Sequence, residues 1–125
     1  MRRAFTNLLC ADVEQTAKFY QSLLGLKRHG DFGWFIILTH DDMPGYEFGL
    51  LQRTHSSVPT GMADAPKGVL LTFVVDDVLE AYERAQKIDA KIVEPPTEMP
   101  YGQTRLLLQD PEGTLVDISA PTPKS

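Results

Sequence analysis

Apolar positions recur along the chain with two periods, one typical of helices and one typical of strands. Two segments, 13–24 and 78–88, have apolar residues at helical spacing and a single apolar face each. Asp12 and Asp77 stand directly before them, where a short carboxylate can accept the free N–H groups of a first helical turn. We therefore predict two amphipathic helices, and Gly25 is placed to end the first. The predicted core-facing side chains are Val13, Ala17, Tyr20, Leu23 and Leu24 in the first helix, and Val78, Ala81, Tyr82, Ala85 and Ile88 in the second.

Strand-like stretches surround the two helices in the same order. "LKRHG" and the hairpin-like "GWFIILTHDDMPGYEFGLLQR" follow the first helix, and "AKIVEPP", "TRLLLQ" and "LVDISA" follow the second. Aligning "LLCADVEQTAKFYQSLLGLK" with "FVVDDVLEAYERAQKIDAKI" places Asp12 on Asp77, and the Ser-, Pro- and Gly-rich "THSSVPTGMADAPKG" between the halves is typical of a linker. The sequence predicts one α+β domain, residues 1–125, built from two β-α-β-β-β repeats at residues 1–58 and 66–121.

Composition and charge restrict the class of partner. The 125 residues carry a formal charge of −5, which disfavours nucleic acid because nothing offsets phosphate repulsion. No apolar run approaches the roughly 20 residues that span a bilayer, so we expect neither membrane association nor a signal peptide. The single cysteine, Cys10, cannot form an internal disulfide, which fits a cytoplasmic location. The expected partner is a small organic molecule, and the negative charge permits a cationic one.

Three stretches of the sequence resemble the vicinal oxygen chelate superfamily, which includes glyoxalase I, bleomycin-resistance proteins and extradiol dioxygenases. They are "ADVEQTAKFYQSLLGL", "FVVDDVLEAYERAQKIDAKIVEPP" and "QDPEGTLVDIS". The resemblance implies the glyoxalase/bleomycin-resistance fold, in which the curled mixed sheets of two βαβββ modules form a cleft, and it implies a homodimer. Since the superfamily holds both metal enzymes and metal-free drug binders, function depends on the residues of the site.

The resemblance also identifies where a metal would be held. In the metal enzymes each module supplies one ligand from its first strand, usually a histidine seven residues before the capping Asp, and one from its last. The first-strand positions are Phe5 and Leu70, and neither side chain can bind a metal. The last-strand positions are Asp117, anchored by the D-P-E-G turn, and Glu47, although a slip of two residues would put Gly49 there. Two carboxylates hold a divalent ion only weakly, so we expect no metal, no other cofactor and no catalytic residue. None of the three histidines has a partner at metal-ligand spacing, and surface or loop positions are expected for His29, His40 and His55.

Strand alternation predicts which side chains point away from the helices. This face is apolar and aromatic with a few charges, as pockets for small organic molecules are. The segment "GWFII" supplies either Trp34 or Phe35, depending on register. The predicted ligand-binding residues are Phe5, Asn7, Trp34, Glu47, Leu70, Thr72, Arg105, Leu107 and Asp117.

Three functions are compatible with this pattern. The first is a metal-free protein that binds and sequesters a small molecule, similar to the bleomycin-resistance branch, with Glu47 and Asp117 offsetting the charge of a cationic ligand. The second is a glyoxalase- or dioxygenase-like enzyme with divergent metal ligands. The third is a non-catalytic accessory dimer. Metal analysis separates the second from the others, and a ligand screen separates the first from the third.

Overall fold

The computed structural model of the chain describes residues 1–123 and confirms both predicted helices with their caps. A carboxylate oxygen of Asp12 accepts the backbone N–H of Gln15 at 2.9 Å, and Gly25 ends the helix with φ 71°. Asp77 caps the second helix by accepting the N–H groups of Leu79 and Glu80 at 3.0 and 3.2 Å. The helices are α1 (Val13–Leu24) and α2 (Val78–Lys87). Within residues 1–123, neither helix has the length and apolar character that a membrane crossing requires.

The strands form two four-stranded mixed sheets with the same internal order. One sheet has the order β1-β4-β3-β2 and the other β5-β8-β7-β6. In each sheet the first strand pairs in parallel with the last, and the remaining pairs are antiparallel. The α+β fold of two βαβββ modules is therefore confirmed. The strands are β1 (Thr6–Cys10), β2 (Lys27–Asp31), β3 (Phe35–Thr39), β4 (Phe48–Gln52), β5 (Leu70–Val74), β6 (Lys91–Glu98), β7 (Gln103–Gln109) and β8 (Leu115–Pro121).

The chain divides into two compact units, unit 1 (Met1–Lys67) and unit 2 (Gly68–Ser125). In unit 1 the core lies between α1 and one face of its sheet. Tyr20 is fully buried there and packs edge-on against Phe48, with 5.0 Å between ring centroids. Alternation along the strands puts the neighbouring side chains on the opposite face, which we call the distal face of unit 1; it carries Asn7, Phe35, Ile37, Gly49 and Leu51.

Unit 2 is built in the same way around α2. Leu106, Leu108, Val116 and Ile118 are fully buried on the helix side of the sheet, together with Ala85 of the helix. The turn between β7 and β8 is fixed by Asp110, whose carboxylate accepts the N–H groups of Glu112 and Thr114 at 2.9 and 3.0 Å. This turn sets the register of β8 against β7. The side chains of β5, β7 and β8 that point away from α2 form what we call the distal face of unit 2: Leu70, Thr72, Arg105, Leu107, Asp117 and Ser119.

Candidate functional site

Asp117 lies at the centre of a hydrogen-bonded polar cluster on the distal face of unit 2. It pairs with Thr72 across the parallel β5–β8 ladder and with Leu107 across the antiparallel β7–β8 ladder. The hydroxyl of Ser119 donates to Asp117 Oδ1 at 2.6 Å, and that of Thr72 donates to Oδ2 at 3.1 Å. Asp117 is only 8% exposed. Both oxygens of a shielded carboxylate are therefore held by neutral donors, which fixes the carboxylate without neutralising its charge.

Arg105 borders this cluster on β7, directly opposite Ser119. Its Nη2 lies 3.6 Å from Oε1 of Glu94, a long ion pair between partly shielded side chains. Its Nε is buried and has no hydrogen-bond partner among the residues that the structure describes. A buried N–H without an acceptor is rare in folded proteins, so the guanidinium of Arg105 is incompletely satisfied by the groups that surround it.

Glu47 of unit 1 is held in a two-pronged ion pair with Arg3. Arg3 Nε and Nη2 donate to the two carboxylate oxygens, each at 2.6 Å. This side-chain hydrogen bonding holds the pKa of Glu47 below its ordinary value. The same guanidinium carbon lies 4.9 Å from the ring centroid of Phe5. Glu47 is therefore engaged within unit 1, and its charge is already matched by Arg3.

An aromatic cluster of five rings extends over the distal face of unit 1. Phe35 is its centre, with ring centroids 6.4 Å from Phe5, 6.3 Å from Phe32 and 5.8 Å from Trp34. The imidazole of His55 lies parallel to Trp34, with 3.7 Å between centroids and 5° between planes. Phe32 is 63% exposed and Phe5 is 36% exposed. The sequence left open whether Trp34 or Phe35 of "GWFII" lies on this face. In the structure both rings belong to the same cluster, since Trp34 directly precedes β3 and Phe35 is its first residue.

The register of β4 decides which residue of unit 1 corresponds to Asp117. Asn7 pairs with Gly49 in β1–β4, as Thr72 pairs with Asp117 in β5–β8. Since Asn7 and Thr72 occupy equivalent places in the two repeats, Gly49 is the equivalent of Asp117. Glu47 lies two residues earlier, directly before β4. Of the two registers open to the sequence, the structure has the one that places glycine at this position.

The residues at the four positions to which the resemblance assigns metal ligands do not fit a metal ion. Phe5, Leu70 and Gly49 carry no side-chain donor, and Asp117 alone has one. Around residues 1–123 no group of three or more His, Cys, Asp or Glu side chains is placed to hold an ion. Because a resident divalent ion needs several such ligands, this donor set supports no step through a metal.

The predicted site residues fall into one group in each unit. Thr72, Arg105, Leu107 and Asp117 lie together on the distal face of unit 2, and Leu70 lies at its edge with 51% exposure. Phe5, Asn7 and Trp34 lie on or beside the distal face of unit 1. Glu47 is linked to this group by Arg3, whose guanidinium pairs with Glu47 and lies over the ring of Phe5.

Four residues of these groups were missed by the sequence analysis. Glu94 lies opposite Leu107 because the β6–β7 pairing shifts register between Ile92 and Glu94, and strand alternation does not reveal such an irregularity. Phe32 is an aromatic residue two positions before Trp34, and this spacing was a usable signal. Arg3 is 44 residues from Glu47, and His55 lies in the segment interpreted as a linker. No local pattern points to either of these two contacts.

Comparison with known proteins agrees with this architecture. The family model of the Glyoxalase/Bleomycin resistance protein/Dioxygenase superfamily matches residues 2–118. The uncharacterized protein YwbC of Bacillus subtilis (strain 168) is 24% identical over 120 residues, covering 90% of this chain and 92% of YwbC.

Two solved structures illustrate the similarity in fold. A glyoxalase/bleomycin resistance protein/dioxygenase family enzyme from Burkholderia phytofirmans PsJN is 21% identical with a TM-score of 0.79, over 94% of this chain and 96% of that one. A glyoxalase-related enzyme from Fulvimarina pelagi is 22% identical with a TM-score of 0.79, over 96% of this chain and 88% of that one. The family match, which spans residues 2–118, shows that the chain belongs to the Glyoxalase/Bleomycin resistance protein/Dioxygenase superfamily.

Proposed function

We propose that the protein binds a planar aromatic small molecule on the distal face of unit 1, without a metal ion, and acts by sequestering it. The observation that carries the proposal is the partly exposed aromatic cluster around Phe35. Aromatic rings stack favourably at centroid separations of about 4.5–7 Å, and the rings here already meet their neighbours within that range. An added planar ligand would extend this arrangement over the exposed rings of Phe5 and Phe32.

Two further observations support binding rather than metal-dependent catalysis. Phe5 and Gly49 stand in unit 1 at the positions where the metal enzymes of the superfamily carry ligands, and neither offers a donor atom. Two carboxylates near the aromatic cluster are already paired, Glu47 with Arg3 and Asp31 with Arg28. The distal face of unit 1 therefore offers stacking surface with little free charge, and we expect its ligand to be chosen by planarity more than by charge.

Quenching of tryptophan fluorescence tests the proposal directly, because Trp34 is the only tryptophan in the sequence and lies inside the cluster. Suitable probes are 9-aminoacridine and anthracene-9-carboxylate, which are both planar but carry opposite charges. We expect saturable quenching by both. If neither probe gives saturable quenching, the proposal is wrong. If only 9-aminoacridine binds, the charge of the ligand matters more than its planarity.

A matched pair of variants locates the binding surface. Phe32 and Tyr101 are each 63% exposed, but only Phe32 belongs to the aromatic cluster. We expect Phe32→Ala to weaken probe binding by about fivefold to tenfold, since loss of an aromatic contact costs about 1 kcal/mol or more. Tyr101→Ala should leave binding unchanged. Equal effects of the two changes would indicate nonspecific adsorption.

Elemental analysis and recovery of the ligand separate sequestration from catalysis. We expect less than stoichiometric Zn, Ni, Fe or Mn after gentle purification, because three of the four expected ligand positions have no donor. We also expect a bound probe to be recovered chemically unchanged. Stoichiometric metal together with conversion of the hemithioacetal of methylglyoxal and glutathione would instead favour the glyoxalase-like alternative.

A further inference from the structure

The short turn that follows β4 borders the aromatic cluster of unit 1 and carries two side chains with unused hydrogen-bond donors. The backbone N–H of His55 donates to the carbonyl of Gln52 at 3.0 Å, which closes a four-residue turn. This turn folds the imidazole of His55 back over Trp34, with 3.7 Å between the ring centroids. Arg53 is the second residue of the turn. The turn therefore brings a guanidinium and an imidazole to the border of the proposed stacking surface.

Arg53 continues the row of side chains that stand on the distal face of unit 1. Its backbone N–H donates to the carbonyl of Cys10 at 2.9 Å, so the parallel pairing of β1 with β4 extends by one residue beyond the end of β4. Alternation then puts the Arg53 side chain on the same side of the sheet as Leu51. Leu51 pairs with Phe35, which makes Arg53 a diagonal neighbour of Phe35, at a spacing of about 7–8 Å that a long side chain can span. The guanidinium therefore lies on the side of the sheet that carries the centre of the aromatic cluster.

The guanidinium of Arg53 is open to an incoming anion. Arg3 and Arg28 of unit 1 are paired with carboxylates, whereas the side chain of Arg53 has no ion pair and no hydrogen bond among residues 1–123. The side chain is partly exposed, and none of its nitrogens is both buried and unpartnered, so each one keeps contact with solvent. A carboxylate can therefore reach this guanidinium from solvent and accept two parallel hydrogen bonds, the geometry that arginine favours.

The imidazole of His55 presents a second donor. Its Nδ1 accepts the backbone N–H of Ser57 at 3.1 Å, so the neutral imidazole carries its proton on Nε2. This Nε2 has no partner within the part of the chain that the structure describes, and it is not sealed from solvent. An N–H group is thus held at the rim of the stacked pair of His55 and Trp34, where it can donate to an oxygen on the edge of a ligand.

The distribution of charge along the sequence permits an anion at unit 1. Residues 1–67 contain seven Lys and Arg against seven Asp and Glu, so unit 1 is formally neutral. The charge of −5 arises from residues 68–125. An anion that approaches Arg53 therefore meets no net negative charge from unit 1 itself.

We propose that the ligand of unit 1 is a planar aromatic carboxylate, whose rings stack on the aromatic cluster while its carboxylate accepts hydrogen bonds from Arg53 and from His55 Nε2. This inference rests on the aromatic binding proposed above and names the chemical class of the ligand. Stacking supplies most of the affinity, so neutral and cationic aromatic molecules also bind, and the two donors give preference to the anion. The preference is opposite to the cationic ligand that the net charge of the whole sequence permits.

Three anthracene probes with the same rings separate this inference from the proposal on which it rests. Anthracene-9-carboxylate is anionic, anthracen-9-ylmethanol is neutral and anthracen-9-ylmethylammonium is cationic. Equilibrium dialysis measures their affinities without using the fluorescence of Trp34. We expect the carboxylate to bind about tenfold more tightly than the ammonium probe, with the alcohol between them. Equal affinities, or tighter binding of the ammonium probe, would leave aromatic binding intact and overturn the carboxylate class. If none of the three binds, both proposals are wrong.

Arg53→Gln tests the charged donor. We expect it to weaken binding of the carboxylate probe by about fivefold to tenfold, a small effect for a charge-assisted hydrogen bond because the side chain is partly exposed. Binding of the alcohol should be unchanged. Lys18→Gln is the matched control, since it removes the same charge from an exposed position on α1 and should leave every affinity unchanged. Equal losses in the two variants would indicate a general effect of net charge and overturn the role of Arg53.

His55→Phe tests the second donor, because it keeps a ring that can stack on Trp34 and removes the Nε2–H. We expect binding of the carboxylate probe to weaken by about threefold to tenfold and binding of the ammonium probe to stay the same. Equal losses for both probes would overturn the donor role of His55. A long-range ¹H–¹⁵N NMR spectrum of the unaltered protein gives a check that needs no variant. A proton on Nε2, shifted by the carboxylate probe but not by the ammonium probe, supports the proposal, and a proton on Nδ1 refutes the donor role.

Discussion

The side chain of Asn7 fills the space above Gly49 on the distal face of unit 1. A β-carbon built at Gly49 would lie 1.8 Å from Asn7 Oδ1 and 3.1 Å from Cε1 of Phe35. Gly49 has no positive φ, so its backbone could accept any residue. The glycine is therefore required by the approach of its neighbours: its missing side chain makes room for the Asn7 amide and the Phe35 ring.

We expect Gly49→Ala to displace the Asn7 amide and to lower the free energy of unfolding. Overpacking usually costs about 1–3 kcal/mol, and the smaller entropy of an unfolded alanine offsets about 0.4–1 kcal/mol of that. Chemical denaturation measures the change. Because Asn7 is an exposed side chain that can rotate, the net loss should fall near the lower end of the range.

The double variant Asn7→Ala/Gly49→Ala checks the cause. Removing the amide oxygen should restore most of the lost stability, whereas Asn7→Ala alone should change it by less than about 0.5 kcal/mol. If the two changes are additive, the contact between residues 7 and 49 is not responsible.

Asp117 stabilises unit 2 by accepting hydrogen bonds from the hydroxyl groups of Thr72 and Ser119. We expect Asp117→Ala to lower the free energy of unfolding by about 1–3 kcal/mol, since it leaves the hydroxyl of the buried Ser119 without its acceptor. Asp117→Asn should cost less, because the amide keeps one acceptor oxygen and a rotated hydroxyl can accept from its nitrogen. Equal losses in the two variants, measured by denaturation, would argue against the hydrogen bonds to Thr72 and Ser119.

Both helix caps satisfy N–H groups of a first helical turn. The carboxylate of Asp12 accepts the N–H of Gln15, and that of Asp77 accepts the N–H groups of Leu79 and Glu80. Replacing a capping residue by alanine costs about 0.5–2 kcal/mol, and we expect chemical denaturation to show a loss in this range for Asp12→Ala and for Asp77→Ala. The asparagine variants serve as controls, because asparagine caps as well as aspartate does and should retain most of the stability.

The ion pair between Arg3 and Glu47 gives unit 1 a pH-dependent contribution to stability. Hydrogen bonds from Arg3 lower the pKa of Glu47 in the folded protein. The stability that the ion pair contributes is therefore fully present above the ordinary pKa of glutamate, and it is lost as the pH falls through the lowered pKa of the folded state. NMR titration should show the pKa of Glu47 below the glutamate range, and it should return to that range in Arg3→Met. The stability difference between the two proteins should shrink with falling pH.

A homodimer is expected because edge strands and apolar sheet faces are liabilities unless they are covered. Leu70 and Val74 on β5 illustrate this, since both are more than half exposed. Light scattering at micromolar concentration should give twice the chain mass of 14.0 kDa. A monomer mass under these conditions would show the expectation to be wrong.

The elements of the fold were predictable because their signals are local. A capping Asp followed by a helical apolar pattern identifies α1 and α2, and the D-P-E-G turn fixes the register that places Asp117. The turn at residues 40–47 carries no comparable anchor, so Glu47 and Gly49 remained alternatives. A slip of one residue would have exchanged the two faces of β4, but a slip of two keeps them. Hydrophobic alternation therefore could not distinguish these two registers.

The parts of the candidate sites that the sequence did not reveal depend on distant contacts. Arg3 reaches Glu47 across 44 residues, and His55 stacks on Trp34 from outside the sheet. Neither contact follows a helical or strand period. The unpartnered Nε of Arg105 is likewise a property of packing, because it depends on which atoms surround the guanidinium in the folded chain.

The parallel pairing of first and last strands has a consequence for how each unit folds. The hairpins β2–β3 and β7–β8 join neighbours in sequence and can form early, whereas β1–β4 and β5–β8 must close long loops. Asn7 meets Gly49, and Thr72 meets Asp117, only across these late pairings. An intermediate with its helices and hairpins formed but its first strand undocked would resemble the native protein in secondary structure, yet it would lack Phe5 and Asn7 on the distal face of unit 1 and Thr72 on that of unit 2. Ligand affinity is therefore expected to report completion of folding in unit 1.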